Sequence, residues 1–249
     1  MHYIILGRAH ETLYEPHTPR GSAARVKSAA NRAKKKRNFL YEFVKSCYNS
    51  GMKLLLATNN AHKMREIFEI LGSDFPDMLT MKQAGLDIDV VEDGTTFEQN
   101  AIKKAEEVLA KSGYPAALAD DSGLIVDALN GAPGVYSARY AGEGHDDGEN
   151  NKKLMADMAG VPWEQRTCRF ASAVALARAG KPTICVMGTV EGILLNEARG
   201  SNGFGYDPYF YYPPFDRSFA ELSAEEKNSV SHRKRALEKL KTKLKEEAE

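Results

Sequence analysis

The residues of this 249-residue chain best suited to chemistry are carboxylates and cations at the ends of apolar runs. Asp120-Asp121-Ser122-Gly123 directly follows one such run, Pro115 to Ala119. Two adjacent carboxylates are costly to bury unpaired, so a cation or a metal ion commonly matches them. Successive residues of extended chain point opposite ways, so one Asp faces a site while the other braces the segment. A hard divalent cation such as Mg²⁺ takes a few carboxylates together with water and phosphate oxygens. The same four residues also read as an ordinary turn. Glu92, in Val91-Glu92-Asp93-Gly94, is a candidate second metal carboxylate, whereas Asp93 and Gly94 read as turn residues.

Two further stretches offer contacts to an anion and to a flat ring. Thr58-Asn59-Asn60-Ala61-His62-Lys63 stands between a strand signal and a helix signal. Free amides and the positive end of a helix dipole point out of such a junction, which suits phosphate. Thr58 and Asn59 add side-chain hydrogen bonds and Lys63 a cation, although Asn60 as a plain helix cap accounts for the same pattern. No Gly-x-x-x-x-Gly-Lys-Ser/Thr loop occurs anywhere in the chain. In Gly200-Ser201-Asn202-Gly203-Phe204-Gly205-Tyr206-Asp207-Pro208 the glycines suggest backbone approaching a ligand, and Phe204 offers a face on which a base can stack. The tyrosines that follow read equally well as packing. Lys227 and Ser231-His232-Arg233 bring donors to a helix N-terminus, where basic groups oppose the dipole unless an anionic or carbonyl-rich ligand is near.

The elements that must position these residues follow from periodicity. Lys53 to Ala57 predicts a buried strand, and Met64, Ile67, Phe68 and Leu71 predict a helix that Gly72 closes in the left-handed conformation. A second helix is expected from Thr95 or Thr96 to Lys111, then two short strands, Pro115 to Ala119 and Leu124 to Ala128, separated by the acidic turn. A helix near Glu149 to Ala159 precedes a hairpin of Thr167 to Arg178 with Thr183 to Leu194. Ser231 is expected to cap a last helix that turns Ala236, Leu237, Leu240 and Leu244 inward. These elements predict an α/β domain with a mixed sheet.

Composition narrows the function classes. Hydrophobic residues at 43% and charged residues at 27% match a globular protein with a real core and exclude a wholly disordered chain. The longest apolar run, Phe170 to Ala177, has eight residues and includes Ser172, short of the roughly 20 a bilayer requires. Three cysteines exclude a disulfide framework or a zinc site, and a cytoplasmic location is expected. The net charge of zero divides into +7 on residues 1–51 and −7 on the remainder. Residues 1–51 therefore read as a basic extension with a helix from Ala23 or Ala24 to Cys47. Its Lys34-Lys35-Lys36-Arg37 run suits a polyanion or a solvated face. Met52, just before the first clean strand, is a candidate start of the working protein, which makes 52–249 the functional domain.

Taken in order, the stretches resemble a known family. Thr58 to Lys63, Asp120-Asp121-Ser122-Gly123-Leu124, Gly131-Ala132-Pro133-Gly134-Val135-Tyr136-Ser137-Ala138-Arg139-Tyr140, Gly203 to Pro208 and Ser231-His232-Arg233 follow the order and spacing of the inosine triphosphate pyrophosphatase family. The bacterial branch, the non-canonical purine nucleoside triphosphate (XTP/dITP) diphosphatases, is the more similar. The resemblance covers about Met52 to Lys245 and leaves out the basic extension. It implies a homodimeric, Mg²⁺-dependent hydrolase with an elongated mixed sheet, flanking helices and two lobes around a nucleotide cleft. Such an enzyme cuts ITP, dITP or XTP to the monophosphate and pyrophosphate.

By the same resemblance, Thr58, Asn59, Asn60, Ala61, His62 and Lys63 hold the triphosphate. Asp121 is catalytic base and metal ligand, Glu92 a further metal ligand, and Ser122 a substrate contact. Phe204, Gly205, Tyr206, Asp207, Lys227, His232 and Arg233 line the nucleotide and base pocket. Asn202 stands where many relatives have Gly, and Gln99 where many have an acid. Two rivals remain: a pyrophosphatase of the same fold acting on modified pyrimidine or methylated nucleotides, and a nucleotide- or RNA-binding protein without catalysis. Ser231-His232-Arg233 speaks against the first, and Asp121, Glu92 and Lys63 together against the second.

Overall fold

The computed structural model describes residues 53–247. The expected basic helix between Ala23 and Cys47 lies outside them. Seven strands form one mixed sheet in the order β2-β1-β3-β4-β5-β6-β7. They are β1 Leu54–Leu56, β2 Met78–Thr80, β3 Ala116–Val126, β4 Thr167–Arg178, β5 Lys181–Leu194, β6 Phe210–Tyr212 and β7 Arg217–Ser218. The helices are α1 Ala61–Leu71, α2 Phe97–Ser112, α3 Asp147–Asp157, α4 Ala224–Val230 and α5 His232–Glu246. The first strand pairs parallel with both neighbours and is buried on both faces, which is why it reads as an unbroken run of leucines. From β3 onward every pairing is antiparallel. Among the described residues no helix is long and apolar enough to cross a membrane.

The period of two along β3 and β4 sorts the core. Even-numbered Ala116, Leu118, Val174 and Leu176 pack with α1 and with Ala236, Leu237, Leu240 and Leu244 of α5. Odd-numbered Ala117, Ala119, Ala171, Ala173, Ala175 and Ala177 pack with Phe97, Ala101, Ala105 and Val108 of α2. Further along the even face, Leu124, Val126, Cys168 and Phe170 join a third cluster with Leu154, Phe210 and Phe219. Between the two even-face clusters lies a polar band of Asp120, Ser122 and Ser172, joined by hydrogen bonds. That band separates the two even-face clusters.

The hairpin of β4 and β5 and the cap of α5 by Ser231 form where periodicity predicts them, the second hairpin strand opening two residues earlier. Two local expectations are corrected. Gly72 has φ −57°, an ordinary helical value, because its N–H still bonds the carbonyl of Phe68 and the chain runs on into further turns. The acidic segment is not a turn: β3 runs unbroken from Ala116 to Val126, with Asp120 opposite Val174 and Asp121 opposite Ala173. Gly123 is there for space, since a Cβ would press on the Gly134 carbonyl oxygen at 2.5 Å and on the Ser137 hydroxyl.

Candidate functional site

The alternation that sorts the core also separates the two aspartates. Asp120, on the even face, is fully buried among residues of α1 and α5. It accepts from Ser172 Oγ at 2.5 Å and from Arg233 Nε and Nη2 at 3.2 Å, and Lys63 Nζ lies 3.0 Å away. Burial alone would raise its pKa, but the charges of Arg233 and Lys63 outweigh it and hold the carboxyl well below its usual range. Asp121, on the odd face, turns toward α2. It accepts from Asn100 Nδ2 at 3.0 Å and from the Ser122 N–H at 2.9 Å. Here burial wins, aided by the negative charge of Glu92 and only partly opposed by Lys63 and Lys104, so its pKa is pushed up to about 6.

A cavity of about 370 Å³ collects these groups. Thr58, Asn59, Asn60 and Lys63 line it together with Glu92, Lys104, Asp121 and Ser122. Phe204, Gly205, Tyr206, Asp207, Lys227, His232 and Arg233 also line it. Glu92 Oε1 meets Lys104 Nζ at 2.8 Å. Ala61 and His62 are not part of the lining; His62 instead stacks on Phe204 with ring centroids 4.8 Å apart. Asn60 acts as the N-cap of α1, its Oδ1 accepting from the amides of His62 and Lys63 at 3.0 and 3.1 Å. Those two amides are thereby occupied, which leaves Asn59, Thr58 and the Lys63 amine to face an anion.

The aromatic loop is held from beneath. Gly203 and Gly205 have φ of 75° and 61°, the left-handed region that disfavours side chains. Asp207 accepts from the Phe204 N–H at 2.9 Å and from Lys227 Nζ at 2.6 Å. From the first turn of α3 and the turn after it, Asp147 accepts from the Gly205 N–H at 2.8 Å and Asn151 donates to the Gly205 carbonyl at 2.9 Å. The Tyr206 hydroxyl donates to the Ser137 carbonyl at 2.7 Å, tying the loop to the 3-10 turn of Gly134–Arg139.

Residues 54–243 match the Ham1 family model. The chain belongs to the Ham1 family. The dITP/XTP pyrophosphatase of Leuconostoc mesenteroides is 50% identical over 196 residues, covering 78% of this chain and 96% of the relative. That of Bacillus subtilis is 47% identical over 186 residues, covering 75% and 93%. The solved structure of a HAM1 protein from Coxiella burnetii superposes with a TM-score of 0.70 at 40% identity, over 78% of this chain and 99% of that one.

Three residues that contact the candidate site residues of this Ham1 family member escape a motif-based reading. Asn100 and Lys104 lie a turn apart on the buried face of α2. Their signal is two polar residues inside an otherwise apolar stripe. Glu66, one turn beyond Lys63, receives both Arg233 and Lys227, the latter at 2.9 Å. Burial alone would raise the Glu66 pKa, but those two charges bring it down to about 2. Arg233 makes four hydrogen bonds, to Asp120 twice, to Glu66 and to Ser122 Oγ, so most of its donors brace the site rather than reach into it. His232 stacks on Phe170 at 5.0 Å, and its buried Nδ1 has no hydrogen-bond partner among the described residues. Burial and the neighbouring Arg233 hold its pKa well below the ordinary value.

Proposed function

We propose that this Ham1 family member hydrolyses non-canonical purine nucleoside triphosphates, namely dITP, XTP and ITP, to the monophosphate and pyrophosphate. The observation that carries the reading is one cavity lined by Asp121, Glu92, Lys63 and Lys104 together with the ring of Phe204 and the imidazole of His232. Identity near 50% to proteins named dITP/XTP pyrophosphatases supports the same choice.

The donor set suits Mg²⁺. Asp121 and Glu92 offer hard oxygen ligands, and burial and mutual repulsion leave Asp121 reluctant to ionise, a condition that a divalent cation relieves. Among the described residues no three His, Cys, Asp or Glu side chains gather as a ligand set, so water and phosphate oxygens would complete the coordination. Bound there, the ion supplies charge neutralisation to the polyphosphate and acidifies nearby water. The chain's own residues do the rest. Lys63 and Lys104 hold the phosphates and offset their charge. Asp121, once ionised, would take the proton of the attacking water as the bond between the first and second phosphates breaks. Phe204 takes the base by stacking. His232, which lines the cavity, is the candidate reader of the 6-oxo edge, and a 6-amino group there would leave a donor unpaired. A homodimer of such units completes the reading, and sedimentation in solution tests it.

Pyrophosphate release should be measured with and without Mg²⁺ from ITP, dITP and XTP beside ATP, GTP, dTTP and CTP. Mg²⁺-dependent preference for the first three is expected. Equal cutting of all seven would sink the base-reading role, and no release from folded protein would sink the enzyme.

A further inference from the structure

We infer that Asn100 is a positioning residue of this site, its single buried amide setting the Asp121 carboxylate and the Glu92-bearing turn at a fixed separation. The inference rests on the reaction proposed above and concerns how its two carboxylates are held.

Asn100 is almost wholly buried on α2. Its Oδ1 accepts from the Gly94 N–H at 2.7 Å, and its Nδ2 donates to Asp121 Oδ2 at 3.0 Å. A backbone N–H can only donate, so it decides which end of the amide faces Gly94. The NH₂ end is thereby aimed at Asp121. The other Asp121 oxygen accepts from the Ser122 N–H at 2.9 Å. Each carboxylate oxygen thus has one fixed donor, which sets the plane of the group and the lone pairs left to face the cavity.

Gly94 is the second half of the device. A Cβ at this position would stand 2.6 Å from Asn100 Oδ1, so any side chain would drive the turn and the amide apart. Two other bonds secure the same turn: Arg139 Nη2 to the Glu92 carbonyl at 3.2 Å, and Lys104 Nζ to Glu92 Oε1 at 2.8 Å. Neither donor is hydrogen-bonded to Asp121. Among the described residues Asn100 alone bonds to both segments. Carboxylates that must share one cation and one water tolerate little misplacement, because an error of about 1 Å costs on the order of 100-fold in rate.

The discriminating variant is N100D. It keeps the size of the side chain and an oxygen for the Gly94 N–H, but replaces the donor facing Asp121 with an acceptor facing a carboxylate. G94A displaces the amide from the other side, and N100A removes it. Three quantities are read: kcat and KM for dITP, the melting temperature, and Mn²⁺ binding by electron paramagnetic resonance without nucleotide. N100D and G94A should lose about 10- to 100-fold in kcat at a temperature where each is fully folded, with KM changed less than about threefold and the melting temperature lowered without ranking the variants in the order of their kcat losses. The double variant G94A/N100A should lose no more than the worse single, since both break one device. N100A should weaken Mn²⁺ severalfold.

Wild-type kcat in N100D, or independent losses in the double variant, would overturn the inference. So would losses that only track melting. If N100D fails to fold, G94A and N100A carry the test. If the wild-type chain releases no pyrophosphate, the proposed reaction falls by itself. Unchanged Mn²⁺ affinity in N100A would then overturn the positioning role separately.

Discussion

Replacing Asp121 by asparagine should abolish turnover and, at the same time, make the protein more stable. The carboxyl has a pKa of about 6 in the folded protein against 3.8 when unperturbed, because burial and the charge of Glu92 oppose its ionisation. A folded-state value above the unfolded one means that the folded protein holds the proton more tightly. Stability is therefore lost as pH rises from about 4 through about 6, and the full penalty stands above that window. The gap between 3.8 and about 6 converts, at about 1.4 kcal/mol per pH unit, into roughly 3 kcal/mol at neutral pH. The D121N variant would escape that penalty but would introduce another. Asn100 Nδ2 and the Ser122 N–H both donate to the position, and a carboxamide has only one acceptor atom. The mismatch costs about 1 kcal/mol or more, leaving a net gain of about 1–2 kcal/mol. For a domain of this size that is roughly 2–8 °C in melting temperature. The assay is a thermal melt of metal-free D121N and wild type at pH 7.5 and again at pH 5. At pH 5 about half the wild-type penalty is gone, so the gain should nearly vanish. A variant that melts at or below wild type at pH 7.5, or by the same margin at both pH values, would refute the reasoning.

Glu66→Gln leaves Arg233 and Lys227 short of a buried carboxylate and should cost about 3–5 kcal/mol, read by urea unfolding. With its folded pKa lowered from 4.5 to about 2, Glu66 contributes stability above about pH 4.5 that is lost as pH falls toward about 2. The difference between variant and wild type should therefore shrink in that window, and a constant difference would contradict the ion-pair account. Phe204→Ala should raise KM for the nucleotide by about 5- to 100-fold with a smaller effect on kcat; an unchanged KM would remove Phe204 from base stacking. Gly188→Ala places a Cβ against the His232 carbonyl and the Ala236 amide, so α5 must shift. A loss of about 1–3 kcal/mol in unfolding free energy is expected, with a lower kcat/KM, and wild-type values for both would show that the helix can yield.

Much of this molecule is legible from local chemistry. Thr96 as cap of α2, Ser231 as cap of α5 and the inward stripe of Ala236, Leu237, Leu240 and Leu244 are decided within a turn or two of chain, so periodicity and capping rules reach them. Gln99 accepts from the Thr95 N–H at 2.8 Å, another contact made within one turn of chain. The motifs around Asp121 and Phe204 carry the family resemblance, and with it the expected chemistry.

What local reasoning misses has partners far away in sequence. Asp120-Asp121-Ser122-Gly123 carries the composition of a turn, yet it lies mid-strand because Lys63, Arg233 and Asn100 arrive from α1, α5 and α2 to satisfy its carboxylates. No rule confined to neighbouring residues contains those partners. Residue types and their order carry the family resemblance, and it is that resemblance that groups Asp121, Glu92, Lys63 and the aromatic loop into one expected site. Only the tertiary structure decided that Asp120 is locked in an ion-pair network while Asp121 faces the cavity. The reason is the two-sidedness of β3: one residue of register sends a carboxylate to the arginine of α5 or to the asparagine of α2.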